Sequence, residues 1–219
     1  MTILIFDLDD TLYLEENYAV SGFEAVSDFV FDAYQIPREI TLRILLSALH
    51  SGERHSAFQN LSFSCRLPKK AIRECLTVYR GHKPKISLDE STRQLLNTYD
   101  QVNKYVVTDG NKIVQKRKVD ALKLDLYFRY SFVTHNFGLK AAKPSIFCFN
   151  KIREMESVDW IDLVYIGDDP KKDFVNLKPL GVKTIRVMTG RYSRLEVSKD
   201  FDAEYRISNL NDLGNVLQF

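Results

Sequence analysis

The sequence predicts an α/β fold, a parallel sheet covered by helices on both sides. Three observations lead there. An unbroken apolar run, Ile3-Leu4-Ile5-Phe6, opens the chain and reads as a strand buried on both faces. From Leu88 onward, helical and strand patterns alternate, as they do when crossover helices connect parallel strands. Polar residues gather where the strands end: Asp7 and Asp9 after the first, Thr108 after the second, Asp168 and Asp169 after the fourth. In open α/β sheets the ligand lies outside those ends, near a topological switch point.

The first strand runs into Asp7-Leu8-Asp9-Asp10-Thr11. Alternate residues of an extended chain point the same way, so Asp7 and Asp9 can face one pocket. Crowded carboxylates repel unless a positive charge sits between them, and a hard divalent cation such as Mg²⁺ supplies one. A turn with a helix cap is the plainer account of Asp-Asp-Thr.

The pattern then becomes helical. Residues 18–34 carry Val20, Phe23, Val26, Phe29 and Val30 near helical spacing, and Pro37 breaks the run. Residues 40–49 repeat the signal until Gly52, and residues 69–79 form another helix entered through Pro68. No strand pattern falls between residues 14 and 88. Residues 15–87 are therefore expected to form an α-helical insert, with residues 1–14 and 88–219 as the core.

Beyond the insert, residues 91–99 predict a helix and 104–108 a strand. The Asp109-Gly110-Asn111 turn leads into a helix over 113–122. A short strand follows at 131–133, then a helix over 145–155 opened by Pro144. Residues 162–166 predict a strand, and 174–180 a helix closed by Gly181. The fifth strand is read at 184–187, and the tail from Asp202 adds a short edge strand and a final helix.

The 219 residues, 45% hydrophobic and 27% charged, suit one generous globular domain or a core with a small insert. A formal net charge of +2 points to neither a nucleic-acid nor a membrane partner. No stretch has the length of a transmembrane helix. The N-terminus enters the first strand directly, so no signal peptide is expected. Cys65, Cys75 and Cys148 are odd in number and lack metal-ligand spacing, which reads as reduced thiols in a cytoplasmic protein.

Three later stretches carry chemistry. Thr108 offers a hydroxyl beside a helix N-terminus, where backbone amides bind anions, although an N-cap explains it as well. Lys143 precedes Pro144 and cannot easily be helical, so it sits in the loop opening the next helix. Its ammonium could reach a phosphate or an acid there. Gly167 permits a tight turn, and Asp168, Asp169 and Asp173 follow on one loop.

In this order and at these strand ends, the stretches resemble the four motifs of the haloacid dehalogenase-like superfamily. Asp7-Leu8-Asp9-Asp10-Thr11 resembles its DxDxT, Thr108 its Thr/Ser, Lys143 its Lys before Pro, and residues 167–173 its GDxxxxD. The resemblance spans the chain. It implies a Rossmann-like five-stranded parallel sheet of order 5-4-1-2-3, with an α-helical cap between the first two motifs.

The resemblance also implies roles. Asp7 would be the nucleophile that forms an aspartyl-phosphate, and Asp9 the general acid and then the base. Mg²⁺ would be held by the Asp7 carboxylate, the Asp9 carbonyl and Asp168. Asp169 and Asp173 would bind metal waters, or Asp173 would orient Lys143, and Asp10 would orient its turn. Thr108 and the turn of Asp109, Gly110 and Asn111 would hold phosphate oxygens, with Lys143 neutralising charge on phosphate and nucleophile. Such a set supplies the positioning and neutralisation that phosphoryl transfer needs.

The expected function is therefore an Mg²⁺-dependent phosphatase for a small phosphorylated metabolite, a nucleoside monophosphate or a sugar phosphate. Dehalogenases of the superfamily lack an acid at the second motif position, because a leaving halide needs no proton; Asp9 is present here. A phosphosugar mutase, a 2-haloacid dehalogenase and a non-catalytic binding module are the alternatives. Tyr18, His50, Arg54, His55 and Phe58 on the insert are candidate substrate contacts, against a solvated polar turn as the plain reading of the histidines and Arg54. The basic run Lys69, Lys70, Arg73, Arg80, His82, Lys83 and Lys85 could steer an anion, but lacks the aromatic interleaving of a nucleic-acid surface.

Overall fold

The computed structural model describes residues 2–217. The chain divides into two compact units, Met1–Glu15 with Ser87–Phe219, and Glu16–Ile86.

The first unit is built on a parallel sheet. Its strands are β1 (Ile3–Phe6), β2 (Asn103–Thr108), β3 (Tyr130–Val133), β4 (Leu163–Gly167), β5 (Lys183–Val187) and β6 (Tyr205–Ile207). Their order is β3-β2-β1-β4-β5-β6. The sheet thus has six strands, where the family pattern implies five; the first five keep the order 5-4-1-2-3, and β6 extends the edge. β6 pairs in parallel with β5 over three residues.

β1 sits in the middle because it can afford no solvent: all four residues are fully buried. Ile5 lies opposite Tyr105 and Tyr165, and Phe6 opposite Val106 and Ile166. Its alternate residues pack on opposite faces. Ile3 and Ile5 join Tyr105, Val107, Phe132, Leu163 and Tyr165 in a core closed by Cys148, Phe149 and Ile152. Phe6 meets the Phe128 ring edge-on at 5.7 Å. Burying each such side chain contributes about 1.5–3 kcal/mol, which holds β1 centred and so fixes where its terminal acids emerge.

The Glu16–Ile86 unit holds α2 (Arg38–His50), α3 (Ala57–Ser64) and α4 (Lys70–Gly81), and all but the first residue of α1 (Glu15–Tyr34). Phe23, Val26, Val30, Leu45, Ala48, Ala57, Leu61 and Cys75 form its own core. A Cβ on Gly22 would overlap the Tyr79 ring, so a glycine lets α4 lie close to α1 there. Helix α3 escapes the sequence reading. It is rich in Ser and Asn, which favour caps over helix interiors, and Phe63 within it is exposed.

In the first unit the helices are α5 (Glu90–Thr98), α6 (Lys112–Ala121), α7 (Phe147–Glu156) and the short α8 (Leu213–Val216). Asn111 caps α6, its side chain accepting from the amides of Ile113 at 3.1 Å and Val114 at 3.3 Å. One expected helix is missing. Residues 174–180 form turns and a single 3₁₀ turn, Lys178–Leu180. Pro179 lacks the N–H that a continuing helix needs and disfavours helical backbone at Lys178. Among the described residues no helix is long and apolar enough to cross a membrane, and all three cysteines are free thiols.

Candidate active site

The chain leaves β1, crosses to β2 and β3 on one side, and returns to β4 and β5 on the other. The switch point therefore lies between β1 and β4, and their C-terminal ends carry Asp7 and Asp168. The Asp7 amide continues the ladder by donating to the Ile166 carbonyl at 2.8 Å. The pairing of two apolar strands thus aims two carboxylates at one spot.

Both are buried, as are Asp10, Asp169, Asp173 and Lys143. The Lys143 ammonium lies 3.0 Å from Asp7 Oδ1 and 2.8 Å from Asp173 Oδ1. It also donates to the Tyr165 hydroxyl at 2.8 Å, which in turn donates to Asp173 Oδ1 at 3.2 Å. Asp173 Oδ2 accepts the Asp169 amide at 3.0 Å. Gly167 is required here, because a Cβ would overlap the Asp173 carboxylate. Asp173 is thereby committed to Lys143 and to its own loop.

One carboxylate oxygen from each of Asp7, Asp168 and Asp173 lies within 4.8 Å of the others. Burial, offset in part by Lys143, pushes the Asp7 carboxyl up to about 6. Burial and the charges of Asp7 and Asp173 push Asp168 up to about 9. Buried carboxylates with this unmet need for positive charge suit a hard divalent cation, which prefers oxygen ligands.

Asp9 lives in the opposite environment. Burial would raise its carboxyl, but the Lys118 ammonium and hydrogen bonds from Tyr13 and Gln115 hold it below the usual range. Asp10 serves the backbone: its carboxylate accepts the Glu15 amide at 2.9 Å, at the start of α1, and the Arg191 amide at 3.3 Å. Thr189 donates to its carbonyl. The 189–191 loop is brought there from the β5 end, where the fully buried Arg186 donates to the Tyr192 and Leu195 carbonyls at 2.6 and 2.8 Å and pairs with Asp202 at 3.3 Å.

The second loop starts at Thr108, buried at the end of β2. Asp109 Oδ1 accepts from the Thr134 hydroxyl at 2.7 Å and the Lys143 amide at 3.1 Å. Burial raises the Asp109 carboxyl, yet Lys143 and those hydrogen bonds leave it lowered. Asp109 thus braces the Lys143 loop with its side chain. Lys172 lies 3.6 Å from Asp109 and 3.7 Å from Asp169, adding a second partly buried cation. Gly110 has φ +133°, and a Cβ there would lie 2.8 Å from Gln115 Nε2, so only glycine fits.

The insert candidates all belong to the other unit. Tyr18 is buried, its ring edge-on to Tyr79 at 5.5 Å and 4.9 Å from His82. Arg54 donates to the Tyr79 hydroxyl at 2.6 Å. Phe58 also packs on Tyr79, at 5.7 Å. His50 is exposed and 3.4 Å from Glu16, and His55 is exposed. Tyr79 therefore gathers Tyr18, Arg54 and Phe58 and leaves the two histidines aside.

Sequence reasoning misses Tyr165, Lys118, Gln115 and Lys172. Tyr165 reads as one more core strand residue, and Lys118 as one of four basic residues on α6. The spacing of Gln115 and Lys118, i and i+3 on one helical face, is the available signal.

The protein-family model of the haloacid dehalogenase-like hydrolases matches residues 4–187. The chain belongs to that family. It is 26% identical over 225 residues to a glyceraldehyde 3-phosphate phosphatase of Methanocaldococcus jannaschii, covering 98% of this chain and 96% of that one. A magnesium-bound hydrolase of the superfamily from Bacillus subtilis superposes with a TM-score of 0.69 at 19% identity, covering 100% and 99% of the two chains. A phosphatase of the superfamily from Thermococcus onnurineus gives 0.62 at 21% identity, covering 99% and 97%.

Proposed function

We propose that this hydrolase is a phosphatase, a phosphoric monoester hydrolase that acts on a small sugar phosphate through an aspartyl-phosphate on Asp7. The observation that carries the reading is Lys143 held between Asp7 and Asp173, with Asp168 beside them, at the sheet's switch point. The sugar-phosphate class is supported by the archaeal relative, which is named for glyceraldehyde 3-phosphate and aligns along nearly the whole chain.

In this reading an Asp7 carboxylate oxygen attacks phosphorus, and the bond from phosphorus to the substrate's alcohol oxygen breaks. Asp9, which must carry a proton when substrate binds, gives it to that oxygen and becomes a carboxylate. Water then attacks the aspartyl-phosphate and gives its proton to Asp9, releasing inorganic phosphate and restoring Asp7. Lys143 neutralises charge on Asp7 and on the incoming phosphate, while Asp173 and Tyr165 hold its ammonium. Thr108 and the amides of Gly110 and Asn111 hold phosphate oxygens. Asp7, Asp168 and the Asp9 carbonyl would hold Mg²⁺, which when bound supplies further neutralisation of phosphate charge.

The test is a panel of sugar phosphates, glyceraldehyde 3-phosphate included, and nucleoside monophosphates, assayed with Mg²⁺ and with excess EDTA. The expected result is preferential release of phosphate from a sugar phosphate, lost in EDTA. Preference for nucleoside monophosphates would overturn the substrate class. Full turnover in EDTA would overturn the metal.

A further inference from the structure

Asp9 is gripped from one direction by α6. Lys118 Nζ donates to both its oxygens, 2.7 Å to Oδ1 and 2.8 Å to Oδ2. Tyr13 donates to Oδ1 at 2.6 Å, and Gln115 to Oδ2 at 3.0 Å. The second N–H of the same Gln115 amide goes to the Asp109 carbonyl at 2.6 Å, which ties the Asp9 carboxylate to the loop after β2. The Lys118 side chain is only 2% exposed, and its next carboxylate, Glu15 Oε1, lies farther off at 3.6 Å.

Placing a lysine in such a position is costly, because its ammonium loses water. A surface ion pair would serve α6 equally well. What burial achieves is orientation. A free aspartate at a strand end hops between rotamers in picoseconds to nanoseconds. A carboxylate that must take a proton from an attacking water has to be held within about 0.5 Å of its working position.

We propose that Lys118 is a positioning residue for catalysis, holding Asp9 as a carboxylate in the orientation from which it takes the proton of the entering water, with Gln115 setting that orientation against the phosphate loop. The proposal rests on Asp9 as the proton-carrying residue. Lys118 itself touches neither substrate nor phosphorus and acts only through Asp9.

The experiment compares Lys118→Met and Lys118→Arg, each in the parent and in an Asp9→Asn background, on an alkyl phosphate and on para-nitrophenyl phosphate. On the alkyl ester, Lys118→Met is expected to lower kcat about 10²-fold, at the low end of the range for general acid–base catalysis, with KM little changed. The phosphorylation burst on para-nitrophenyl phosphate, whose leaving group needs little protonation, is expected to survive. Lys118→Arg, which keeps the charge and two-point donation, should recover part of the loss. In the Asp9→Asn background Lys118→Met should cost nothing further. An additive loss there, an equal loss of burst and alkyl turnover, or a change confined to KM would overturn the proposal.

A crystal structure of Lys118→Met decides the point without turnover. The Asp9 side chain is expected to leave its rotamer or to split between two; an unmoved, single rotamer overturns the proposal. If Asp9→Asn itself hydrolysed both esters at parental rates, the role of Asp9 would fall, and the crystallographic comparison would still decide whether Lys118 holds it. Lys118→Leu provides the same comparison should the methionine variant fail to fold, and Lys118→Arg is expected to keep the parental rotamer.

Discussion

Asp7 and Asp9 stand two residues apart, yet their surroundings push them in opposite directions. Asp7 is raised by burial to about 6, whereas Asp9 is held low by Lys118. A nucleophile works ionised and a general acid protonated, so these metal-free directions run against the two tasks, and the assignment rests instead on the place of Asp7 beside Lys143 and Asp168. Asp7→Asn is expected to abolish phosphate release and covalent labelling together. Asp9→Asn is expected to label in a burst with para-nitrophenyl phosphate and then stall, because water lacks its base. Rapid-quench labelling distinguishes them, and normal labelling of Asp7→Asn would refute the nucleophile. Gly190 makes a second residue-scale case. It has φ +61°, and a Cβ would overlap Asp10 Cγ. Gly190→Ala should lower the stability by about 1–3 kcal/mol, read from denaturant melts; an unchanged melt would mean the Asp10 loop yields freely. Residues that end strands are legible in sequence because an apolar run stops abruptly at them, as at Asp7, Thr108 and Asp168. Lys118 is not legible in that way. Lys112, Lys116 and Arg117 surround it on α6, and only the packing of that helix decides which cation is buried.

Strands and helices with strong periodicity are legible to within a few residues. β1, β2 and β4 read as apolar runs, β5 by its β-branched Thr184, Ile185 and Val187, and α1, α2 and α4 carry helical spacing. Failures have local causes. Residues 174–180 are apolar enough for a helix, but Pro179 stops one. Helix α3 is hidden by its serines, whereas the short edge strand expected beyond Asp202 is present as β6. Helix α6 supports the candidate site from two ends, through its cap at Asn111 and through Gln115 and Lys118. Asn111→Ala removes the cap and should cost about 0.5–2 kcal/mol, while Asn111→Ser, which can still cap, should cost less. If the two melted alike, the cap would contribute nothing. The helices of Glu16–Ile86 have their own core of Phe23, Val26, Leu45 and Leu61. Bridging Glu15 to Ser87 in their absence is expected to leave the parallel sheet folded by circular dichroism while altering the ranking of sugar phosphates against para-nitrophenyl phosphate. An unaltered ranking in a folded truncation would remove the insert from substrate selection.

At the scale of the whole molecule, the switch point collects more negative charge than the described cations neutralise, and that has a sign in pH. Asp7 and Asp168 have folded values raised to about 6 and about 9 from an ordinary 3.8. A raised carboxyl contributes stability that is fully present below 3.8 and is lost as pH climbs through its folded value. Asp9 and Asp109 are lowered, so their contribution is present above 3.8 and fails only at more acid pH. Lys143, raised well above 10.5 by Asp173 and Asp7 despite its burial, loses its contribution only above that value. Between about pH 4 and 9 the net direction is therefore set by Asp7 and Asp168, with Asp10, also raised by burial, acting in the same sense, and the metal-free protein should melt at progressively lower temperature as pH rises. A ligand that binds the folded state raises Tm by mass action, and a divalent cation competes with protons for these carboxylates. Mg²⁺ should accordingly raise Tm more at pH 8 than at pH 5. Asp168→Asn removes the carboxyl with the largest shift, so it should flatten the metal-free pH slope and abolish most of the Mg²⁺ response. Differential scanning calorimetry across pH, with and without Mg²⁺, measures both. A Tm rise of equal size at the two pH values, or one that survives Asp168→Asn, would place the cation away from the strand ends and leave the cluster without its charge partner.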